Sequence, residues 1–151
     1  YHHFGVDFKG IIRAVLTDLK IKSPVFGAST IPQQLIRSTF LSADKTAERK
    51  LREIILALEL DRRYPKDQIL EWYLNQVPFG QNAYGAEAAS QTYFGKPVSE
   101  ISLPEAAALA ALIKSPYYLS PYGENREKLL GRKNYILDRM ADEHYLDKQT
   151  S

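Results

Sequence analysis

Apolar side chains in this chain recur three and four residues apart, and nowhere do they alternate with polar ones for more than a few positions. That period places them on helix faces and leaves no run suited to a pleated strand, so the sequence reads as mainly α. Phe8, Ile11, Ile12, Val15, Leu16 and Leu19, with Asp7 as N-cap, predict an amphipathic helix ending near Lys20, and Ser23-Pro24 through Gly27 reads as a loop. Thr30 and Gln33 stand at capping-box spacing, and Pro32 is tolerated in the first turn of the helix that follows. Leu51, Ile54, Ile55 and Leu58 form the apolar stripe of a longer helix from about Thr46 to Arg63, whose other faces carry Arg49, Lys50, Arg52, Glu53 and Glu59. Pro65 opens another through Ile69, Leu70, Tyr73 and Leu74, with Asn75 at its C-terminal cap. After a turn containing Pro78 and Gly80, the Ala-rich segment from Ala83 to Tyr93 reads as helical and is closed by Gly95 and Pro97. Ser102 and Glu105 repeat the capping-box spacing before Ala106 to Ile113. Pro116 to Pro121 is an aromatic loop, and a final helix spans Arg126 to about Glu143.

With 151 residues, 44% of them hydrophobic and 25% charged, the chain has the size of one domain, 1–151, and enough apolar matter for a core. A formal charge of +2 cannot attract polyanions globally, so any such attraction must come from local clusters of Lys and Arg. Without cysteine there is no disulfide framework, zinc-thiolate site or Cys nucleophile. No apolar run approaches the roughly 18 to 20 residues that a spanning helix needs. The chain opens on Tyr1-His2-His3-Phe4-Gly5 without a Met, inside what reads as an ordered segment, and an upstream part is expected. His2 and His3 lack any metal-ligand spacing.

Two clusters carry the chemistry. Gly27-Ala28-Ser29-Thr30-Ile31-Pro32-Gln33-Gln34 leads two hydroxyls and two amides onto a helix N-terminus, where free N–H groups and the helix dipole favour an anion such as a phosphate. The plain alternative is a cap flanked by solvated Gln residues. Lys45, Arg49, Lys50, Arg52 and Glu53 then enclose one carboxylate in cations, and the plain alternative is a surface Arg49–Glu53 pair worth about 0.3 to 0.5 kcal/mol. Arg37 lies one turn beyond Gln33, so two consecutive helices offer cations near one hydroxyl-rich loop, an arrangement that suits a pyrophosphate. The segment Lys66 to Asn75 reads as structural, its apolar positions as core.

In this order and over nearly the whole chain, these segments resemble the peptidoglycan glycosyltransferase family of monofunctional transglycosylases and class A penicillin-binding proteins. His3 and Gly5 match the end of the first motif, Glu-Asp-x-x-Phe-x-x-His-x-Gly, and Gly27 to Gln34 match the second, Gly-x-Ser-Thr-x-x-Gln-Gln. Arg49, Lys50 and Glu53 match the third, Arg-Lys-x-x-Glu, and Lys66, Ile69, Leu70, Tyr73, Leu74 and Asn75 match the fourth, Lys-x-x-Ile-Leu-x-x-Tyr-Leu-Asn. Arg132 through Met140 resembles the more variable fifth.

The resemblance implies a lysozyme-like, mainly helical glycosyltransferase domain and an inverting transfer without a covalent intermediate. Its donor would be a growing glycan on polyprenyl pyrophosphate, its acceptor a sugar hydroxyl of lipid II, and its place the outer face of the bacterial cytoplasmic membrane. Cations, with a divalent metal (Mg or Mn) in some members, would stabilise the departing pyrophosphate. Ser29, Thr30, Gln33, Gln34, Arg37, Lys45 and Arg49 would line the pyrophosphate and sugar cleft, with Lys50 and Arg52 nearby. Glu53 would be the second active-site carboxylate, orienting the acceptor or assisting the leaving group. The family's general base, the first-motif Glu, would lie before residue 1, so the chain as given is expected to be inactive. Arg37 and Lys45 stand where many members have Lys and Arg, and Pro32 where Thr is frequent. Residues 8 to 26 correspond to the family's membrane-contacting region, where an apolar face can equally serve a bilayer surface or a core. A transpeptidase domain in the full-length protein would also fit the resemblance, and no nucleic-acid partner is implied. The competing functions are a lysozyme-like glycoside hydrolase, which has less use for pyrophosphate-binding cations, and a non-catalytic helical module for anionic ligands, weakened by the interleaved Glu48 and Glu53.

Overall fold

The computed structural model describes residues 29–40 and 46–146, and the helix expected from Phe8 to Lys20, the Ser23 to Gly27 loop and Lys45 lie outside them. Among the described residues the chain is mainly α, with one two-stranded sheet. It divides between Gln76 and Val77 into two compact units.

The first unit holds three described helices. Helix α1 (Ile31–Phe40) buries Pro32, Gln33, Leu35 and Ile36 and packs against both of the others. Its capping box is present in its reciprocal half: the Gln33 side-chain oxygen accepts from the Thr30 N–H at 3.0 Å. Helix α2 (Ala47–Arg63) starts where Thr46 Oγ1 accepts from the Arg49 N–H at 3.1 Å. Glu48 in its first turn and Arg62 and Arg63 in its last complement the helix dipole. Helix α3 (Lys66–Gln76) follows Pro65, whose carbonyl accepts from the Gln68 and Ile69 amides. Ile69 and Tyr73 are its buried residues, and Thr39 Oγ1 donates to Gln76 Oε1 at 2.8 Å, tying the far ends of α1 and α3 together.

Two expectations for this unit fail. The inward face of α2 is not the Leu51, Ile54, Ile55, Leu58 stripe: Glu53 and Ala57 are the buried residues, both 0% exposed, while Leu51 and Ile55 remain 59% and 56% exposed. A carboxylate can displace aliphatic side chains from a helix's inner face when cations one turn away compensate it, a pairing that hydrophobic periodicity does not register. Asn75 lies within the last turn of α3, not at its cap.

The second unit begins with the hairpin β1 (Pro78–Gly80) and β2 (Ala83–Tyr84), which occupies the turn and the first residues of the segment expected to be helical. Gln81 and Asn82 both adopt left-handed φ, 51° and 57°, as a two-residue turn matching strand twist requires. Gly80 has φ 88°, and a Cβ there would come within 3.2 Å of Pro116 and of the Tyr93 hydroxyl, which itself donates to the Phe79 carbonyl at 2.8 Å. Helix α4 (Ala86–Phe94) ends on Gly95 in the left-handed conformation, as the Gly95-Pro97 pair predicts. Helix α5 (Leu103–Ile113) is entered through the expected box: Glu105 Oε2 accepts from the Ser102 N–H at 2.7 Å and from its hydroxyl at 2.8 Å, with Lys96 Nζ at 2.8 Å. Ala107, Leu109, Ala111 and Leu112 of α5 and Leu129, Leu137 and Ala141 of helix α6 (Arg126–Asp142) form most of this unit's core.

Two glycines give opposite tests. Gly80→Ala should destabilise by about 1–3 kcal/mol, because the left-handed backbone and the crowded Cβ act together. Gly131→Ala, inside α6 with nothing within 4 Å of its Cβ, should stabilise by up to about 1 kcal/mol, both read as shifts in urea midpoint. The α5 cap gives a pH test. Lys96, then the Ser102 N–H and hydroxyl, pull the Glu105 carboxyl down from its ordinary 4.5 to about 2. A depressed folded-state pKa stabilises above 4.5 and loses that contribution as pH falls toward 2. Glu105→Gln should therefore lower the melting temperature at pH 7, with the two proteins converging as pH falls through that window.

Candidate functional site

The two sequence clusters meet in the first unit. Glu53 projects from the inner face of α2 with no exposed surface. Arg49, one turn earlier, places Nη1 at 3.3 Å from Glu53 Oε2, and Lys50 donates its ammonium to Oε1. Glu53 is four residues after Arg49 and three after Lys50, the two spacings at which helical side chains meet. Lys50 Nζ also donates to Ser29 Oγ at 3.0 Å, so one ammonium bridges α2 and the segment entering α1. The Arg49–Glu53 pair is thus not a surface salt bridge: a carboxylate taken out of water costs several kcal/mol and persists here because both oxygens accept from cations.

The Gln residues are not solvated either. Gln33 is 0% exposed; its Oε1 is used by the Thr30 amide, while its Nε2 has no hydrogen-bond partner among the described residues. Arg49 Nε is buried in the same condition. Buried donors left unpaired are costly in a finished core and useful where a ligand supplies the acceptors. Gln34 Nε2 donates to the Ser29 carbonyl at 3.1 Å, and Tyr73, on α3, donates its hydroxyl to Gln34 Oε1 at 3.0 Å. Burial pushes the Tyr73 hydroxyl up from its ordinary pKa, opposed by the charge of Arg37, whose own residue is exposed.

Ser29, Thr30, Gln33, Gln34, Arg49, Lys50 and Glu53 are accordingly linked by hydrogen bonds and ion pairs, with Arg37 near the Tyr73 hydroxyl. Arg52 is not brought in: its side chain is 67% exposed and its Nη2 pairs with Glu48 at 2.7 Å. Lys45 lies outside the described residues. Tyr73 is the member that sequence reasoning assigned to the core; its polar tip was the available signal, since a buried tyrosine hydroxyl generally finds a partner.

No three His, Cys, Asp or Glu side chains gather among the described residues, and both Glu53 oxygens are taken by cations. What the arrangement can do is receive a multiply charged anion beside a fixed pair of cations, with hydroxyl and amide donors along one side.

A mainly α scaffold bearing such a site is the setting in which a charged leaving group can be held. The chain belongs to the transglycosylase family, whose sequence model, described as Transglycosylase, matches residues 1–141. It is 47% identical over 146 residues to penicillin-binding protein 1A of Aquifex aeolicus, covering 97% of this chain and 20% of that protein. It is 44% identical over 149 residues to penicillin-binding protein 1A of Escherichia coli, covering 99% of this chain and 17% of that protein. Penicillin-binding protein 1F of Bacillus subtilis is likewise 44% identical over 149 residues, 97% of this chain and 20% of that protein. The chain therefore spans about a fifth of the length of these curated relatives.

Mutual compensation in the ion cluster can be measured. Arg49→Met and Lys50→Met should each destabilise by about 1–3 kcal/mol, because each leaves the buried carboxylate short of a partner. Adding Glu53→Leu to both should recover most of that loss in the same unfolding assay.

Proposed function

We propose that this chain is a peptidoglycan glycosyltransferase domain, and that its site acts on the pyrophosphate of a polyprenyl-linked glycan donor with lipid II as acceptor. The observation that carries this reading is Glu53, fully buried between Arg49 and Lys50 beside the unpaired donors Gln33 Nε2 and Arg49 Nε. In the reaction, a sugar hydroxyl of lipid II attacks the anomeric carbon of the donor, the bond to pyrophosphate breaks, and configuration inverts. The electron pair departs on the pyrophosphate, where charge grows as the bond lengthens. Lys50 and Arg49 stand fixed before that charge appears, so little reorganisation is needed when it does. Ser29, Thr30, Gln33 and Arg37, with Lys45, would complete the donor side.

The burial of Glu53 and the occupation of both its oxygens support a role in holding the cations rather than in taking the acceptor's proton. The proton would pass to the first-motif Glu that the resemblance implies. The working protein would sit at the outer face of the cytoplasmic membrane, because its substrates are lipid-linked, and could carry a transpeptidase domain. Among the described residues no helix is long and apolar enough to cross a membrane.

Lipid II polymerisation by this chain, and by a form extended upstream through the first motif, tests the reading. Polymer is expected from the extended form, with Glu53→Gln lowering its rate by at least about a hundredfold. Shortening of preformed glycan instead would favour a hydrolase. Salt-sensitive binding of anionic vesicles without turnover, unaffected by Glu53→Gln, would favour a binding module.

A further inference from the structure

The hydrogen bonds around Gln34 have a polarity that chemistry dictates. The Ser29 carbonyl can only accept, so the Gln34 side-chain nitrogen must face it, at 3.1 Å. Gln34 Oε1 then faces Tyr73 at 3.0 Å, and the phenol must be the donor. Past Ser29 the chain continues: its hydroxyl accepts from Lys50 Nζ at 3.0 Å, and Lys50 pairs with Glu53. An uninterrupted path thus runs from the buried Tyr73 of α3 through the entry of α1 to the cation pair on α2.

We propose that Tyr73 is a positioning residue for this site, fixing Lys50 through Gln34 and the Ser29 backbone. Ser29 lies two residues before the first residue of α1, and its carbonyl is held by the Gln34 side chain. Without that contact, the segment carrying the Ser29 hydroxyl loses a tether to α3. Burial keeps the phenol protonated, so the donor is present throughout the working pH range. Tyr73 is itself 6% exposed and needs no contact with substrate to act.

The kinetic arm rests on the transferase reading; the structural arm does not. In the full-length protein, Tyr73→Phe should lower kcat/KM for lipid II polymerisation about three- to tenfold, the scale of one lost hydrogen bond. In a Gln34→Leu background the same change should cost nothing further, since the path is already cut; additive losses would mean that Tyr73 acts by packing and would overturn the proposal. Gln34→Glu keeps the acceptor for Tyr73 but sets a carboxylate oxygen against the Ser29 carbonyl, so it should lose as much activity as Tyr73→Phe; full activity would overturn the path. Independently of turnover, amide hydrogen exchange over residues 29–33 should quicken in Tyr73→Phe while α5 and α6 are unchanged. Unchanged exchange over residues 29–33 overturns the positioning role. Quickened exchange in a protein that makes no polymer even with Tyr73 intact upholds the positioning role and sinks the transferase reading.

Discussion

The first unit is organised around the burial of one carboxylate. Glu53 has no exposed surface, and a charge so placed is tolerable only with its partners in position. Arg49 and Lys50 meet that need from the same helix, one turn back, which makes the correct helical register of α2 a condition for the pair to exist at all. Ala57, one turn further along the same face, is also fully buried. Lys50 then reaches Ser29, so the compensation of a charge on α2 also fixes the entry to α1. Well-packed apolar residues would commonly hold such a fold at least as well, and the persistence of three charges here is better explained by work than by stability.

Much of the fold was legible because helix ends write themselves locally. Thr46, Ser102 with Glu105, and Gly95 each mark a boundary that the structure respects within a residue, since a cap depends only on backbone groups a few positions away. The hairpin was not legible, because strands of three and two residues offer no alternation to detect, and Gln81 is an uncommon residue for left-handed φ. The orientation of α2 was misread for a deeper reason. Hydrophobic periodicity ranks side chains by their own transfer free energy, whereas Glu53 is buried through interactions with Arg49 and Lys50 that belong to no single residue.

The site was legible as composition and spacing, less so as geometry. The hydroxyl and amide cluster and the Arg49-Lys50-Glu53 cluster are brought together, but Arg52, adjacent to Glu53 in sequence, turns away to Glu48, as a 100° step around the helix demands. Gln33 and Gln34, side by side and alike in type, have different tasks. The first is sealed inside with a spare donor; the second is spent between Tyr73 and Ser29. That division depends on α3, thirty-nine residues away along the chain at Tyr73, and no local pattern could express it.

In the proposed reaction, the charge balance of the cluster bears on turnover. Arg49 and Lys50 bring two positive charges and Glu53 one negative, a net of +1 held within one helical turn. Two uncompensated cations would bind a pyrophosphate tightly as ground state and as product alike, and uniform binding of that kind does not accelerate the chemical step. A buried carboxylate behind the cations tempers their field while fixing their positions, so attraction grows mainly as negative charge develops on the departing group. On this argument Glu53 contributes by what it withholds as well as by what it orients, and a neutral isostere at that position would impair turnover even if donor binding became tighter.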